Sequence, residues 1–196
     1  GAVNCGGIYP SKYIDFYVKE IDDKVKQMLV KEGFRNGVLF LQAFTNGEVL
    51  YFFEMGYRLS GGRHYIFTDH QNNTSSLTQL IHFALTGRMA DYSIAERDNA
   101  KFKDLCFRFN LIGNPGIVDT IYGIDYLLNK KEVIFASLLK HVGDEVGMPG
   151  TTATQLLGAY MVVDNKSHFR NVIDEIYSNV KFLDANGNNL VVKLDY

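Results

Sequence analysis

The amino-acid sequence predicts an α+β protein in two unequal parts. Residues 10–33 place apolar side chains at helical spacing, and residues 37–55 contain two apolar runs around Asn46-Gly47, the strongest short-range signal for a β-hairpin. From Cys106 onward, short β-like runs dominate. We therefore expect an antiparallel sheet with helices in residues 1–113 and a small β-rich domain in residues 114–196.

Each element of the first part has a local signal. Ser11 is suited to cap a helix that ends at Gly33, since a serine hydroxyl accepts from the first turn and glycine adopts the left-handed conformation at helix ends. Gly87 is a second stop signal of the same kind. The expected elements are a helix from Ser11 to Gly33, strands Gly37–Thr45 and Glu48–Met55, a loop over Tyr57–Gln71, and a helix over Ser75–Leu85.

The second part begins at the turn-forming segment Asn114-Pro115-Gly116, where we place the domain boundary. An amphipathic helix is expected near the end, followed by a closing hairpin around Asn186-Gly187. A strand over Cys106–Leu111 is expected just before the boundary. The expected elements after it are strands Val118–Tyr122, Val133–Leu139 and Tyr160–Val163, a helix over Ser167–Tyr177, and hairpin strands Val180–Asp184 and Leu190–Leu194.

Composition excludes several classes of partner. A net charge of −2 over 196 residues provides no basic surface for a phosphate backbone, so we expect no nucleic-acid partner. No apolar run approaches the roughly 20 residues that a membrane-spanning helix requires, so we expect no membrane partner. Cys5 and Cys106 lack metal-site or CxxC spacing, which indicates free thiols in a reducing compartment and predicts a cytoplasmic protein.

The hairpin and the loop after it carry the residues best suited to chemistry. Gln42 is the one polar residue between Val38 and Phe44, and Glu54 ends the run Val49–Phe53. Polar groups in such runs cost free energy unless a partner satisfies them. The residues that follow are an arginine and a flexible glycine loop, Arg58 and Ser60-Gly61-Gly62.

Two interpretations of these residues remain open. Amide and carboxylate oxygens suit Mg²⁺, arginine suits phosphate or carboxylate, and a glycine loop lets main-chain N–H groups approach a ligand. The structural alternative is that Gln42 faces solvent on an edge strand, Glu54 pairs with Arg58, and Ser60-Gly61-Gly62 is a simple turn.

Strand register gives a test of the metal interpretation. With a strict two-residue turn at Asn46-Gly47, Gln42 lies opposite Tyr51, and Gln42 and Glu54 point to opposite faces. A bulge in the second strand, or a longer loop, is needed to bring both side chains to one face. The metal interpretation therefore predicts one of these two irregularities.

The hairpin resembles the metal-binding hairpin of ATP-grasp ligases, especially the carbamoyl-phosphate synthase large subunit and biotin carboxylase. The resemblance rests on Gln42-Ala43-Phe44, Asn46-Gly47-Glu48 and Phe52–Arg58. It implies ATP and Mg²⁺ as cofactors, with Gln42 and Glu54 as metal ligands and Arg58 as the arginine that handles the substrate or acyl phosphate. Gly56 stands where the family pattern Glu-x-Asn-x-Arg has asparagine, which puts a second metal contact in doubt.

The loop Ser60-Gly61-Gly62 is similar to the substrate-side glycine loop of carboxylate–amine ligases in the same superfamily. The resemblance implies that a small-molecule carboxylate is activated as an acyl phosphate and attacked by an amine-type nucleophile. The lysines and adenine-clamping segment of the family lie upstream of this hairpin, and residues 1–36 resemble neither.

We therefore expect the chain to be the C-terminal portion of a ligase, with the N-terminal ATP-grasp half in the same or a separate chain, and to be inactive alone. The alternative is a non-catalytic binding or assembly module derived from this fold.

Overall fold

The structure is a computed structural model that describes residues 4–194. The helices are α1 (Ile14–Glu20), α2 (Asp22–Lys31), α3 (Tyr65–Asn72), α4 (Ser76–Thr86), α5 (Ile94–Arg97), α6 (Ile124–Leu128) and α7 (Lys166–Asn179). The strands are β1 (Gly6–Tyr9), β2 (Phe40–Thr45), β3 (Leu50–Gly56), β4 (Leu105–Gly113), β5 (Gly116–Ile117), β6 (Thr120–Tyr122), β7 (Val133–Leu138), β8 (Glu145–Val146), β9 (Gln155–Val163), β10 (Lys181–Leu183) and β11 (Val191–Val192). None of the helices within residues 4–194 has the length and apolar character needed to cross a membrane.

The chain divides into two compact units at positions other than the expected boundary. The hairpin unit comprises Pro10–Lys103, and the sheet unit comprises residues 4–9 together with 104–194. The sequence-based boundary at 113/114 lies inside the sheet unit. The reason is that β4 begins at Leu105 and runs to Gly113 in the middle of the main sheet, so the turn at Asn114-Pro115-Gly116 ends a strand and not a domain.

The sheet unit is built on an antiparallel sheet in the order β1-β4-β9-β7, with β11 also paired to β4. β9 lies between β4 and β7, which explains its almost continuous apolar sequence and its near-complete burial. Helix α7 begins at the Asn165 cap, whose side chain accepts from the His168 N–H at 2.8 Å. The buried side chains of α7 join the core of the sheet unit; they are Val172, Ile173 and Ile176.

The turn of the closing hairpin expected around Asn186-Gly187 is confirmed, but its two arms pair with each other only over a short stretch. There, Asp184 N–H donates to the Asn188 carbonyl at 3.0 Å and Leu190 N–H donates to the Phe182 carbonyl at 2.8 Å. β10 pairs with β6, β11 pairs with β4, and a single bridge between Leu183 and Asn189 joins the two arms. The Asp184 carboxylate accepts from the N–H groups of Asn186 and Asn188, at 2.9 and 2.8 Å, and so forms a wide turn. In addition to this short contact, the two arms join different sheets.

The helices of the hairpin unit agree with the sequence in part. The helix expected from Ser11 to Gly33 is two helices, because Ile21, at φ −126° and ψ −41°, interrupts the helical conformation. Part of the loop expected over Tyr57–Gln71 is α3. The expected second helix is confirmed as α4, with the Ser75 hydroxyl accepting from Thr78 N–H and Gly87 at φ +76°.

A charged network connects the segment before β7 to α7 in the sheet unit. The side chain of Glu132 is 9% exposed; its carboxylate lies 3.1 Å from His168 Nε2 and 3.9 Å from Lys130 Nζ. Burial favours the neutral carboxyl group. The hydrogen bonds from the main chain of Glu132 and from His168, together with the charge of Lys130, outweigh burial and hold the pKa of Glu132 below its usual value of 4.5.

We expect the stability of the sheet unit to fall on acidification through this network. A carboxyl group with a lowered folded pKa stabilises the fold fully above its unfolded pKa of 4.5, and that contribution is lost as the pH falls through the lower folded pKa. Glu132→Gln should cost about 1–3 kcal/mol at pH 7 and progressively less below pH 4.5, as measured by urea unfolding at several pH values. The exposed Glu145→Gln is the control. Equal pH dependence of the wild type and Glu132→Gln would contradict the assignment.

Candidate functional site

The β2–β3 hairpin has the irregular register that the metal interpretation predicted. Leu50 lies opposite Thr45, so four residues, 46–49, connect the strands. Further along, Ala43 lies opposite Phe52 but Gln42 lies opposite Glu54, which leaves Phe53 as the extra residue of a β-bulge. The predicted bulge is thus confirmed, and the loop is also longer than two residues. The loop adds two residues and so does not change the face on which a side chain projects, which leaves the bulge as the irregularity that matters.

Side chains close the hairpin loop. The Asn46 amide oxygen accepts from the N–H groups of Glu48 and Val49, both at 3.0 Å, and the Thr45 hydroxyl accepts from Gly47 N–H at 2.9 Å. Gly47 has φ +102°, a conformation that favours glycine. Asn46 and Gly47 therefore form the turn that the sequence predicted, but in a loop two residues longer.

The bulge brings the two predicted metal ligands together. Residues directly opposite each other in an antiparallel pair project on the same face of the sheet, so the side chains of Gln42 and Glu54 share one face. Both residues are exposed. Without the bulge, Gln42 would lie opposite Phe53 and Glu54 would project on the other face.

The pair fits the requirements of Mg²⁺. This ion takes oxygen ligands and commonly binds through one or two protein groups, with phosphates and waters completing its coordination. Gln42 and Glu54 offer one amide oxygen and one carboxylate from adjacent strands. No group of three or more His, Cys, Asp or Glu side chains within residues 4–194 is arranged to hold a metal alone. A Mg²⁺ site on this hairpin would therefore depend on phosphate oxygens of a bound nucleotide and on water to complete its coordination.

Aromatic side chains flank the polar pair. Two residues along β2 from Gln42, the ring of Phe44 stacks on that of Phe53, with centroids 4.4 Å apart. Two residues from Gln42 in the opposite direction along β2, the ring of Phe40 lies beneath the Arg58 guanidinium. The guanidinium carbon is 4.8 Å from the centroid of the Phe40 ring. Arg58 Nη1 also donates to the Leu59 carbonyl at 2.9 Å. Arg58 is thus held by Phe40, and no ion pair with Glu54 forms among the described residues.

Gly56 now has a structural explanation. It lies directly opposite Phe40, and a Cβ atom at position 56 would come within 2.1 Å of the Phe40 ring. An asparagine at this position is therefore incompatible with the present position of Phe40. The sequence alone does not identify Phe40 as the residue that supports Arg58. The feature that indicates this role is an aromatic residue paired with a glycine, and that pairing can be recognised only when the bulged register is known.

The glycine loop leads into α3. Ser60 is engaged in the turn: its carbonyl accepts from Arg63 N–H at 2.9 Å and its hydroxyl from His64 N–H at 3.3 Å. Gly61 is exposed, with no atom within 4 Å of the position that its Cβ would take. The loop thus has one anchored residue, Ser60, and one open residue, Gly61. Ligand binding by Ser60-Gly61-Gly62 stays a prediction.

Comparison with known proteins defines the class of fold. The sequence matches no protein-family model and no curated protein. Solved structures of ATP-grasp ligases share its fold, at sequence identities of 11–14%. The expected fold class is confirmed: the chain has a mixed α+β fold that corresponds to part of an ATP-grasp ligase.

Three of these solved structures show the degree of similarity to this chain. Phosphoribosylglycinamide synthetase from Anaerococcus prevotii superposes with a TM-score of 0.76 at 12% identity, over 93% of this chain and 46% of that one. L-amino acid ligase from Bacillus licheniformis gives 0.71 at 11% identity, over 95% and 45%. The biotin carboxylase domain of 2-oxoglutarate carboxylase from Hydrogenobacter thermophilus, in complex with MgADP and bicarbonate, gives 0.66 at 13% identity, over 97% and 40%. This chain therefore spans less than half the length of these proteins.

Proposed function

We propose that this chain is the C-terminal portion of an ATP-dependent ligase that activates a small-molecule carboxylate as an acyl phosphate for attack by an amine-type nucleophile. One observation carries the proposal: the bulge that places Gln42 opposite Glu54 on one face of the hairpin. The fold supports it, since one structure with this fold was solved in complex with MgADP.

The proposed roles follow from the chemistry of each group. Gln42 and Glu54 supply oxygen ligands for Mg²⁺, which when bound offsets negative charge on the nucleotide phosphates. Arg58 offers a planar guanidinium that matches a carboxylate or phosphoryl group in a bidentate way. Gly61 and Gly62 lack side chains that would block the approach of a ligand to the main-chain N–H groups.

The hairpin unit also supports a partner on the apolar side chains that it exposes. Among its described hydrophobic residues, Phe67 and Met89 are the buried ones. Its two-stranded sheet leaves the outer edges of both β2 and β3 unpaired, and a hairpin of this kind is marginally stable alone. Large exposed side chains cover the hairpin: Phe44, Tyr51, Phe52, Phe53 and Met55. We propose that the remaining part of an ATP-grasp ligase, in the same or another polypeptide, packs on this hairpin.

Calorimetric titration of Mg²⁺-ATP into the 196-residue chain tests the proposal. We expect weak binding, with a dissociation constant near 1 mM and a binding free energy of about −4 kcal/mol. Glu54→Ala should weaken it by roughly tenfold or more, because it removes a charged ligand worth about 1.5–3 kcal/mol. No ATP hydrolysis by this chain alone is expected.

The matched control is Glu48→Ala, which removes the same charge from the exposed loop of the same hairpin. Equal weakening by the two substitutions would show that net charge, and not a metal ligand, is responsible. A wild-type chain without any Mg²⁺-dependent heat would contradict the metal assignment and favour the non-catalytic module.

A further inference from the structure

A cavity of about 360 Å³ lies within the hairpin unit, beside the residues assigned above. Its volume is in the range of small-molecule sites. Two of its lining residues belong to the candidate site: Phe40, which supports Arg58, and Ser60, which begins the glycine loop. The rest of the wall comes from the segment before β2, from α3 and α4 with the turn between them, and from Met89, Ile94 and Asp98.

The segment before β2 presents main-chain groups to this cavity. The ladder between β2 and β3 ends at the pair Phe40–Gly56, so the lining residues Val38 and Leu39 lie outside it. Within residues 4–194, the N–H and C=O groups of Val38 and Leu39 make no hydrogen bond. Val38 and Leu39 are half-buried residues, so these main-chain groups are available to a ligand in the cavity that both donates and accepts hydrogen bonds.

Several polar side chains that line the cavity have hydrogen-bonding groups available for a ligand. Across the described part of the chain, the hydroxyl groups of Tyr65 and Thr68 make no hydrogen bond, and both residues line the cavity. Asp98 accepts from Asn72 Nδ2 through Oδ1, at 3.3 Å, which leaves its second oxygen available. These groups surround a cavity whose apolar wall includes Met89 and Ile94.

Charge decides which class of ligand fits. Asp98 is the one carboxylate of the lining, and neither lysine nor arginine is among the lining residues. Asp98 also makes no ion pair within residues 4–194. The pKa of Lys26 is raised chiefly by the hydrogen bond that Lys26 donates to the Asp22 carboxylate, and least by the more distant charge of Asp98. A phosphate or carboxylate would be repelled by the Asp98 carboxylate here, whereas an ammonium group would be attracted to it.

We propose that this cavity binds a small primary amine that also carries an amide or hydroxyl group, with the ammonium group at Asp98 and the polar group at Thr68 and the main chain of Val38 and Leu39. Its identification as the amine-type substrate of a ligase rests on the proposed function. The binding site itself stands independently of Mg²⁺ and nucleotide.

The test is a titration of the ¹⁵N-labelled chain with glycinamide, without nucleotide, followed by NMR chemical shifts. Saturable shifts are expected at Val38, Leu39 and Thr68. Glycolamide, in which a hydroxyl replaces the amine, should bind at least tenfold more weakly. Asp98→Asn should weaken glycinamide binding at least tenfold, and Thr68→Val should weaken it while leaving the preference for the amine.

Two controls separate the possible failures. Glu96→Gln removes a carboxylate two residues from Asp98 and outside the cavity, so it should leave binding unchanged. Glu54→Ala should also leave it unchanged, which keeps this result independent of the metal site. Shifts absent from the cavity, equal binding of glycolamide, or equal loss in Asp98→Asn and Glu96→Gln would each overturn the proposal.

Discussion

Gly123→Ala is expected to destabilise the sheet unit by about 3 kcal/mol. Gly123 has φ +80°, where an alanine costs about 1–2 kcal/mol. A Cβ atom there would also come within 2.2 Å of the main-chain oxygen of Asn179, the last residue of α7. Because that atom is main chain, relief requires movement of α6 or α7, and overpacking of this kind adds about 1–3 kcal/mol.

Gly187→Ala provides a matched control for this prediction. Gly187 also has φ +80°, but no atom lies within 4 Å of its Cβ position. The two alanine variants share the backbone cost and differ in the contact with Asn179. Urea unfolding should give a loss of about 1–2 kcal/mol for Gly187→Ala and a clearly larger loss for Gly123→Ala. Equal losses would show that the close approach of Gly123 to Asn179 does not constrain the fold.

Gly56→Asn, which introduces the residue of the ATP-grasp pattern, is expected to damage the hairpin. The new Cβ atom would displace the Phe40 ring, at a cost of about 1–3 kcal/mol, and Arg58 would lose its aromatic support. Amide hydrogen exchange of the β2–β3 ladder should accelerate by about 5- to 150-fold, the kinetic equivalent of that cost. Binding of Mg²⁺-ATP should weaken in the same variant, because the hairpin that carries Gln42 and Glu54 is less stable.

The compensating change is Phe40→Ser. A serine at position 40 leaves room for the asparagine, so the double variant should be more protected from exchange than the sum of the two single changes predicts. Simple additivity would mean that Phe40 and Gly56 do not interact, and the explanation of Gly56 would then fail.

The sequence predicts the hairpin well because its signals are local. Asn46-Gly47 between two apolar runs defines the turn. The need to place Gln42 and Glu54 on one face predicts a bulge in the second strand or a longer loop, and the structure locates the bulge at Phe53. The helix α4 follows from its cap at Ser75 and its glycine stop. These features depend on neighbouring residues in the chain, which a sequence shows directly.

The features that the sequence does not predict depend on contacts between distant residues. Val191 and Val192 pair with β4, some 80 residues earlier, so the closing hairpin does not extend beyond Leu190. The interruption at Ile21 has no glycine or proline to mark it. The support of Arg58 by Phe40 depends on the register, since the two residues are brought together only when Phe40 lies opposite Gly56.

The most direct measurement of the central claim is paramagnetic relaxation by Mn²⁺ in place of Mg²⁺, with ATP present, in the ¹⁵N-labelled chain. Mn²⁺ takes similar oxygen ligands and broadens NMR signals of nuclei close to it. The metal assignment predicts that the Gln42 side-chain amide and the main-chain signals of Gln42 and Glu54 broaden first, and that Glu54→Ala abolishes the effect. Broadening centred instead on another acidic surface, such as Asp22 and Asp23 at the start of α2, would contradict it.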